Sequence, residues 1–392
     1  MSVPALRFKG EDGHDYPAWI SKSIGDVLTI GSGRDYKHLA LGNIPVYGTG
    51  GYMLAVDDYL YDGESVCIGR KGTIDKPTLL NGKFWTVDTL FYTHSFKDCL
   101  PKFVHACFQR IDWKSHNEAS GVPSLSKSTI EKIDIHVPTV EEQTRIASFL
   151  TAVDEKITQL TQKYELLHQY KKGVMQQVFS QALRFKDDDG QDFPEWRTFK
   201  LNEIANIIGG GTPDTAVTIN WQGGIQWFTP TELKSKYVSR SLRTITEQGL
   251  KASSAKLLPA GTLLLSSRAT VGDVSIALNE CTTNQGFQSL IVNEKNDNEF
   301  IYYWLLNNKN ALLEKASGST FLEISKREIE KLLIQRPSKA EQTKIAKFFI
   351  VIDDKLSYTQ AQLTAAKQYK QGLLQQMFVW DNSPCHHNLN TR

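Results

Sequence analysis

The chain repeats itself, and that repetition limits its possible folds more tightly than any other feature. Leu6 to Trp19 reads LRFKGEDGHDYPAW and Leu183 to Trp196 reads LRFKDDDGQDFPEW, with nine identities in 14 positions at a spacing of 177 residues. Further along, PTVEEQTRIASFL from Pro138 matches PSKAEQTKIAKFF from Pro337, and QYKKGVMQQVF from Gln169 matches QYKQGLLQQMF from Gln368, both 199 residues apart. The second copy has therefore gained 22 residues between its shared ends, in a region where the copies resemble each other little. A chain of 392 residues exceeds what one hydrophobic core usually organises, so matched frames around divergent interiors predict two or more domains.

The later frame segments predict long helices. Pro138 and Pro337 stop what precedes them, and Thr139-x-x-Glu142 and Ser338-x-x-Glu341 have the capping-box pattern, in which a hydroxyl and a carboxylate satisfy orphan amides of a helix start. Ile146, Leu150, Val153, Ile157, Leu160, Tyr164, Leu167, Val174 and Val178 then follow alternating steps of four and three, interrupted by Lys171. Ile345, Phe349, Ile352, Leu356, Leu363, Ala366, Leu373 and Met377 repeat the pattern, interrupted by Thr359 and Lys370. A seam of this period needs a partner, and two matching helices in one chain are candidates for each other, which predicts an intramolecular, antiparallel coiled coil. An amphipathic helix lying on a globular core explains single turns, but not a heptad sustained over roughly five repeats.

Between the frames the sequence reads as α/β modules. Short β-like runs (Thr262 to Leu265, Phe287 to Val292, Thr86 to Thr93, Ile133 to Val137) alternate with glycine turns at Gly48 to Gly51 and Gly209 to Pro213, with one helical stretch near Phe300 to Leu313. The predicted class is α+β: two α/β domains at 1–138 and 183–337, two spacer helices at 139–182 and 338–380, pseudo-two-fold symmetry, and a polar, disordered tail at 381–392.

Composition narrows the function. With 40% apolar and 22% charged residues, and every apolar run broken before ~18 residues, no membrane span is expected. The N-terminus lacks a secretory pattern, so the cytoplasm is the expected compartment. Five cysteines without a CxxC pair read as reduced thiols. A net charge of +2 gives no global attraction to a polyanion, so any nucleic-acid surface must be local, as in the run from Lys234 to Lys256 with six basic residues and one acid. Gly209-Gly210-Gly211-Thr212-Pro213 is no P-loop, and Gly31-Ser32-Gly33-Arg34 falls short of a dinucleotide fingerprint. No metal-ligand spacing, nucleophile elbow, kinase signature or amino-methyltransferase tetrapeptide is present, so the chain reads as a binder.

The tandem frame, the EQTxIAxF helix starts, the QYKxGxxQQxF helix ends, GGGTP followed by WQGGIQWFTPTEL, and TTNQGFQSL together resemble the specificity subunit of type I restriction-modification enzymes over nearly the whole chain. The resemblance implies that each variable region is a target-recognition domain reading one half of a split, asymmetric double-stranded DNA site. It implies that the paired helices space these domains and bind two modification (methyltransferase) subunits, which carry S-adenosylmethionine, and that two restriction subunits join with ATP and magnesium. This chain itself would bind no cofactor and catalyse nothing. A non-catalytic coiled-coil scaffold, a stand-alone DNA-binding regulator and a complete enzyme are the alternatives. The first leaves the divergent interiors without a purpose, and the last lacks a catalytic set.

Base reading needs planar donors, with cations and hydroxyls on phosphates. Candidates are Arg34, Lys37, Tyr47, Arg70 and Lys71 in the first domain, and Lys234, Lys236, Arg240, Arg243, Arg268 and Gln285 in the second. Each could equally serve a surface salt bridge or a strand-end turn. For partner docking the duplicated helix ends offer Gln176, Gln177 and Phe179 with Gln375, Gln376 and Phe378, unless these merely close the coiled coil.

Overall fold

The computed structural model describes residues 4–318 and 322–378; the polar tail expected at 381–392 lies outside the described residues. The two longest elements are the helices α1 (Val140–Phe179) and α2 (Lys339–Met377). Packing divides the chain into two compact units that cut across the linear segments: one runs to Gln162 and resumes at Gln360, the other is Lys163–Thr359. Each unit thus takes one stretch of each long helix. No helix among the described residues is long and apolar enough to cross a membrane.

In the first unit a four-stranded sheet has the order Thr29–Ser32, Leu90–His94, Ser65–Gly69, Thr78–Leu80. A second has the order Gly51–Val56, Leu41–Gly48, Lys83–Thr86, Tyr61–Asp62, with Leu41–Gly48 and Lys83–Thr86 parallel. The expected single run from Thr86 to Thr93 is thus two strands in two sheets, broken at Val87–Thr89, where Leu90 N–H donates back to the Val87 carbonyl. The core gathers Phe103, Phe108, Trp113 and Ile130 around Ile146 and Leu150 of α1 and Leu373, Leu374 and Met377 of α2.

The second unit repeats this plan despite its unlike sequence. Its larger sheet has the order Ala205–Gly209, Gln288–Val292, Leu263–Leu265, Val274–Ala277, Tyr237–Val238. The smaller has Arg243–Ile245, Trp221–Phe228, Cys281–Thr283, again with one parallel pair. Much of the extra length lies between Phe228 and Arg243, where the first unit turns directly from Gly48 to Gly51 and the second inserts the edge strand Tyr237–Val238. The helix expected near Phe300 to Leu313 is two, Asn298–Asn307 and Lys309–Glu314, broken at Asn308, whose side-chain amide donates to the Trp304 carbonyl at 2.8 Å.

The helix starts correct the capping-box expectation by half. Thr139 Oγ1 accepts from Glu142 N–H (3.4 Å) and Ser338 Oγ from Glu341 N–H (3.3 Å). The carboxylates do not reach back to the cap. Glu142 and Glu341 are fully buried, and buried charges must be paired. Glu142 accepts from Arg7 Nε (3.0 Å), Arg7 Nη2 (2.6 Å) and Trp19 Nε1 (3.1 Å). Glu341 accepts from Arg184 Nε at 3.0 Å and Nη2 at 3.2 Å. The neighbouring Gln143 and Gln342 are buried too, each donating to the proline carbonyl that precedes its helix at 3.0 Å.

The residues that break the heptad are likewise partnered. In the second unit Lys171 of α1 meets Asp353 of α2 at 2.5 Å, and Tyr303 donates to the other oxygen of Asp353 at 2.5 Å. Phe179, further along α1, lies against Phe349, earlier on α2, so the stretches run antiparallel. In the first unit Lys370 and Asp154, the repeats of that pair, meet at 2.7 Å. Thr359 is buried and returns its hydroxyl to the Lys355 carbonyl at 2.8 Å.

Replacing Lys171 with Met leaves Asp353 without its cation while Tyr303 still donates to it. The expected cost is about 2 kcal/mol, below that of a fully buried pair because both partners keep some contact with water. Lys171→Met/Asp353→Asn should recover part of the loss. Urea unfolding of the parent, Lys171→Met, Asp353→Asn and the double variant checks this, and additive losses would show that the residues do not interact.

Candidate nucleic-acid interface

In the first unit, four connections meet at one end of the sheets because backbone atoms bond directly. Arg34 N–H donates to the Thr86 carbonyl (2.8 Å), Val87 N–H to Tyr47 (3.0 Å), and Arg70 N–H to Thr89 (2.8 Å). Two glycines make the approach possible. A Cβ on Gly33 would stand 1.9 Å from the Val87 carbonyl oxygen, and one on Gly69 would stand 2.0 Å from that of Thr73. The Gly-Ser-Gly-Arg and Gly-Arg-Lys-Gly strings are thus close-packed strand exits carrying cations at their tips. A cleft of about 710 Å³ opens between Lys37, Thr49, Tyr52 and Asp88. A second, of about 400 Å³, is lined by Arg70, Lys71, Glu118 and Lys127.

Arg34, Lys37, Arg70 and Lys71 are all exposed there, and Tyr47 is half-buried, edge-on to Tyr52. Lys127 and Thr49 join them, and sequence reasoning missed both. Lys127 follows the helix cap Ser126 in the string Ser126-Lys127-x-x-Ile130-Glu131-Lys132, which recurs 199 residues later as Ser325-Lys326-x-x-Ile329-Glu330-Lys331, so the repeat was the signal that could have found it. Glu118 accepts from the hydroxyls of Thr129 and Ser126, which hold its carboxyl below the usual range.

The second unit builds the same end from other residues. Gly211 N–H donates to Thr283 (2.9 Å), Asn284 N–H to Phe228 (3.0 Å) and Ser267 N–H to Gly286 (2.8 Å). A Cβ on Gly210 would lie 2.0 Å from the Asn284 carbonyl oxygen, so the glycine run is a packing device that brings this connection against the next. Lys234, Arg240, Arg268 and Gln285 are exposed, and Gln285 accepts from the Thr212 hydroxyl.

Arg243 is exposed as well, with its guanidinium stacked 3.5 Å over the Trp221 ring. Two expectations need correction. Lys236 is no free cation: its ammonium is paired with Glu299 (2.6 Å), donates to Tyr303 (2.9 Å) and is enclosed by tyrosine rings, with a side chain 13% exposed. Phe378 is buried against Phe103 and Trp19 in the first unit's core, and Phe179 lies half-buried against Phe300 and Phe349 in the second. They close their own units, whereas Gln176, Gln177, Gln375 and Gln376 remain exposed.

Among the described residues no group of three or more His, Cys, Asp or Glu could hold a metal ion. Burial pushes the thiols of Cys67, Cys99 and Cys281 up to about 12, and Cys107 upward as well, so they persist as thiols, which are poor nucleophiles, at neutral pH. What the geometry offers is cations, hydroxyls, amides and aromatic edges on rigid loops, the groups that contact phosphates and base edges.

Replacing Gly69 with Ala should force the Arg70–Lys71 loop away from Thr73, lowering the melting temperature of the first unit by several degrees. DNA affinity should fall at least as much as in Lys71→Ala. Calorimetry and fluorescence anisotropy on duplex DNA check this; unchanged stability would mean that the strand exit absorbs the methyl.

A family model described as type I restriction modification DNA specificity domain matches residues 17–169 and 194–368. The specificity subunit of type I restriction enzyme MjaIX from Methanocaldococcus jannaschii is 38% identical over 183 residues, 45% of this chain and 42% of that protein. The EcoR124I/EcoR124II specificity subunit of Escherichia coli is 27% identical over 237 residues, 58% of this chain and 57% of that one. The chain spans about half the length of the curated relatives it matches. Among solved structures, the S subunit of a type I restriction-modification system from M. genitalium superposes with a TM-score of 0.67 at 14% identity, covering 97% of this chain and all of that one. A chain from a structure concerned with complex assembly and conformational transition of the type I system gives 0.56 at 18% identity, covering 92% and 97%. At these identities the likeness is one of fold.

Proposed function

Because the chain belongs to the type I restriction-modification DNA-specificity family, we propose that it is the specificity subunit of such a complex and reads a bipartite, asymmetric double-stranded DNA target. One observation carries the reading. Each unit presents the same strand exits at the same end of the same sheets, yet Arg34, Lys37, Arg70 and Lys71 stand on one set and Lys234, Arg240, Arg268 and Gln285 on the other. Equal frames with unequal tips are what two readers of different half-sites require. A coiled-coil scaffold would leave the glycine-locked exits without use.

In this reading the chain positions DNA and performs no covalent step. Two modification subunits supply methyl transfer from S-adenosylmethionine, and two restriction subunits, when present, use ATP and magnesium for translocation and cleavage in the cytoplasm. The exposed glutamines at the duplicated helix ends, Gln176 and Gln177 with Gln375 and Gln376, are the partner surface that occurs twice. Two copies of one partner should therefore bind. Native mass spectrometry with modification subunits should give a two-to-one complex, and saturation at one-to-one would contradict it.

The two readers should also act separately. Lys71→Ala with Arg70→Ala is expected to relax or shift one half of the motif methylated in cells and leave the other half as it was. Methylome sequencing checks this. A change in both halves would count against independent reading, and no methylated motif in the parent strain would count against the specificity function itself.

A further inference from the structure

The loop at Lys71 and the loop at Arg268 occupy the same place in the two units. Lys71 forms an isolated bridge with Ser124, and Arg268 forms one with Glu323, Ser124 and Glu323 being 199 residues apart in the repeat. The two positions therefore differ as a pair: a lysine faces a serine in one unit, and an arginine faces a glutamate in the other. Lys71 has no salt bridge among the described residues. Arg268 donates from Nε (3.0 Å) and Nη2 (2.7 Å) to Glu323 Oε2, while its side chain stays 44% exposed.

Two of the five guanidinium donors are thus used, both on the Nε side. One Nη1 hydrogen and the second Nη2 hydrogen form the end-on fork that matches the N7 and O6 acceptors of guanine. The loop that carries the fork is fixed. Ser266 Oγ bonds the Arg268 carbonyl at 3.0 Å, Ala269 is held at φ 65 and Gly272 at φ 86, and Asp273 is tied to Lys309 at 2.6 Å. A non-glycine residue held in the left-handed region is a cost that surrounding contacts must sustain, and such costs gather at functional loops.

We propose that Arg268 reads a guanine in the half-site of the second unit and that Glu323 is its positioning residue. The proposal rests on the DNA-specificity reading. The unpaired Lys71 has one ammonium and no fork, so the first unit does not read guanine in this way at the equivalent point.

The test is selection of a randomised DNA duplex pool by the full chain assembled with its modification subunits, followed by sequencing. The parent should enrich two blocks, one containing a G·C pair whose preference falls roughly tenfold or more in both Arg268→Ala and Arg268→Lys. Lysine keeps the charge, so a mere phosphate contact would survive that second substitution. Glu323→Gln, which keeps one acceptor oxygen, should keep the guanine with a weaker preference. The other bases of the same block report that the second unit is folded, and the second block reports on the first unit. Variants that enrich the parent's sequences unchanged would overturn the proposal while leaving the specificity function standing. A parent that enriches no sequence would overturn both.

Discussion

A carboxylate buried at the start of each long helix connects the parts of this protein that repeat. Glu142 and Glu341 sit in the first helical turn, where unpaired amides favour negative charge, but both are removed from water and need directed donors. Arg7 and Arg184 supply them from more than 130 residues earlier in the chain. Two of the repeated segments are therefore opposite sides of one contact. The interior between them is bound only to begin and end at that contact, which is why the repeat spacing can be 177 before it and 199 after it.

A second electrostatic constraint sets helix direction. Lys171 meets Asp353 in one unit, and the repeat equivalents Asp154 and Lys370 meet in the other. If the copies ran parallel and in register, Lys171 would face Lys370 and Asp154 would face Asp353. Two favourable pairs would become two like-charge contacts in partly dry surroundings. Polar residues in an apolar seam lower its intrinsic stability, and their use here fits the specification of orientation.

The frame was legible because it rests on local rules: prolines before caps, heptad spacing, and identity at a fixed offset. Its errors came where partners lie far apart in sequence. Lys171 and Lys370 read as interruptions because a heptad count sees only apolar positions, whereas the aspartates that answer them stand on the other helix. Glu142 fitted a local cap, yet Arg7 and Trp19 outcompete the cap amide for it. Lys236 looked like part of a basic patch until Tyr302, Tyr303 and Glu299 folded over it. The run from Thr86 to Thr93 hid a sheet boundary, because continuous β propensity carries no mark of which sheet a strand joins.

The candidate site shows the reverse division. Its backbone was partly readable, since glycine strings marked the strand exits, and contact with Val87, Thr73 and Asn284 explains why those glycines tolerate no side chain. Its chemistry was not, because what a tip residue faces, as Arg268 faces Glu323 from 55 residues away, is set by the fold and not by a local spacing. The same property suits a reader of DNA. Close backbone packing at Gly33, Gly69 and Gly210 fixes where each loop leaves its sheet, so the side chains beyond are free to differ without disturbing the fold. Lys71 opposite Ser124, and Arg268 opposite Glu323, are two solutions at one backbone position, and the strands that the two units share beneath them keep the same order. Divergence confined to such positions can change what is read while the buried carboxylates and the seam pairs stay as they are.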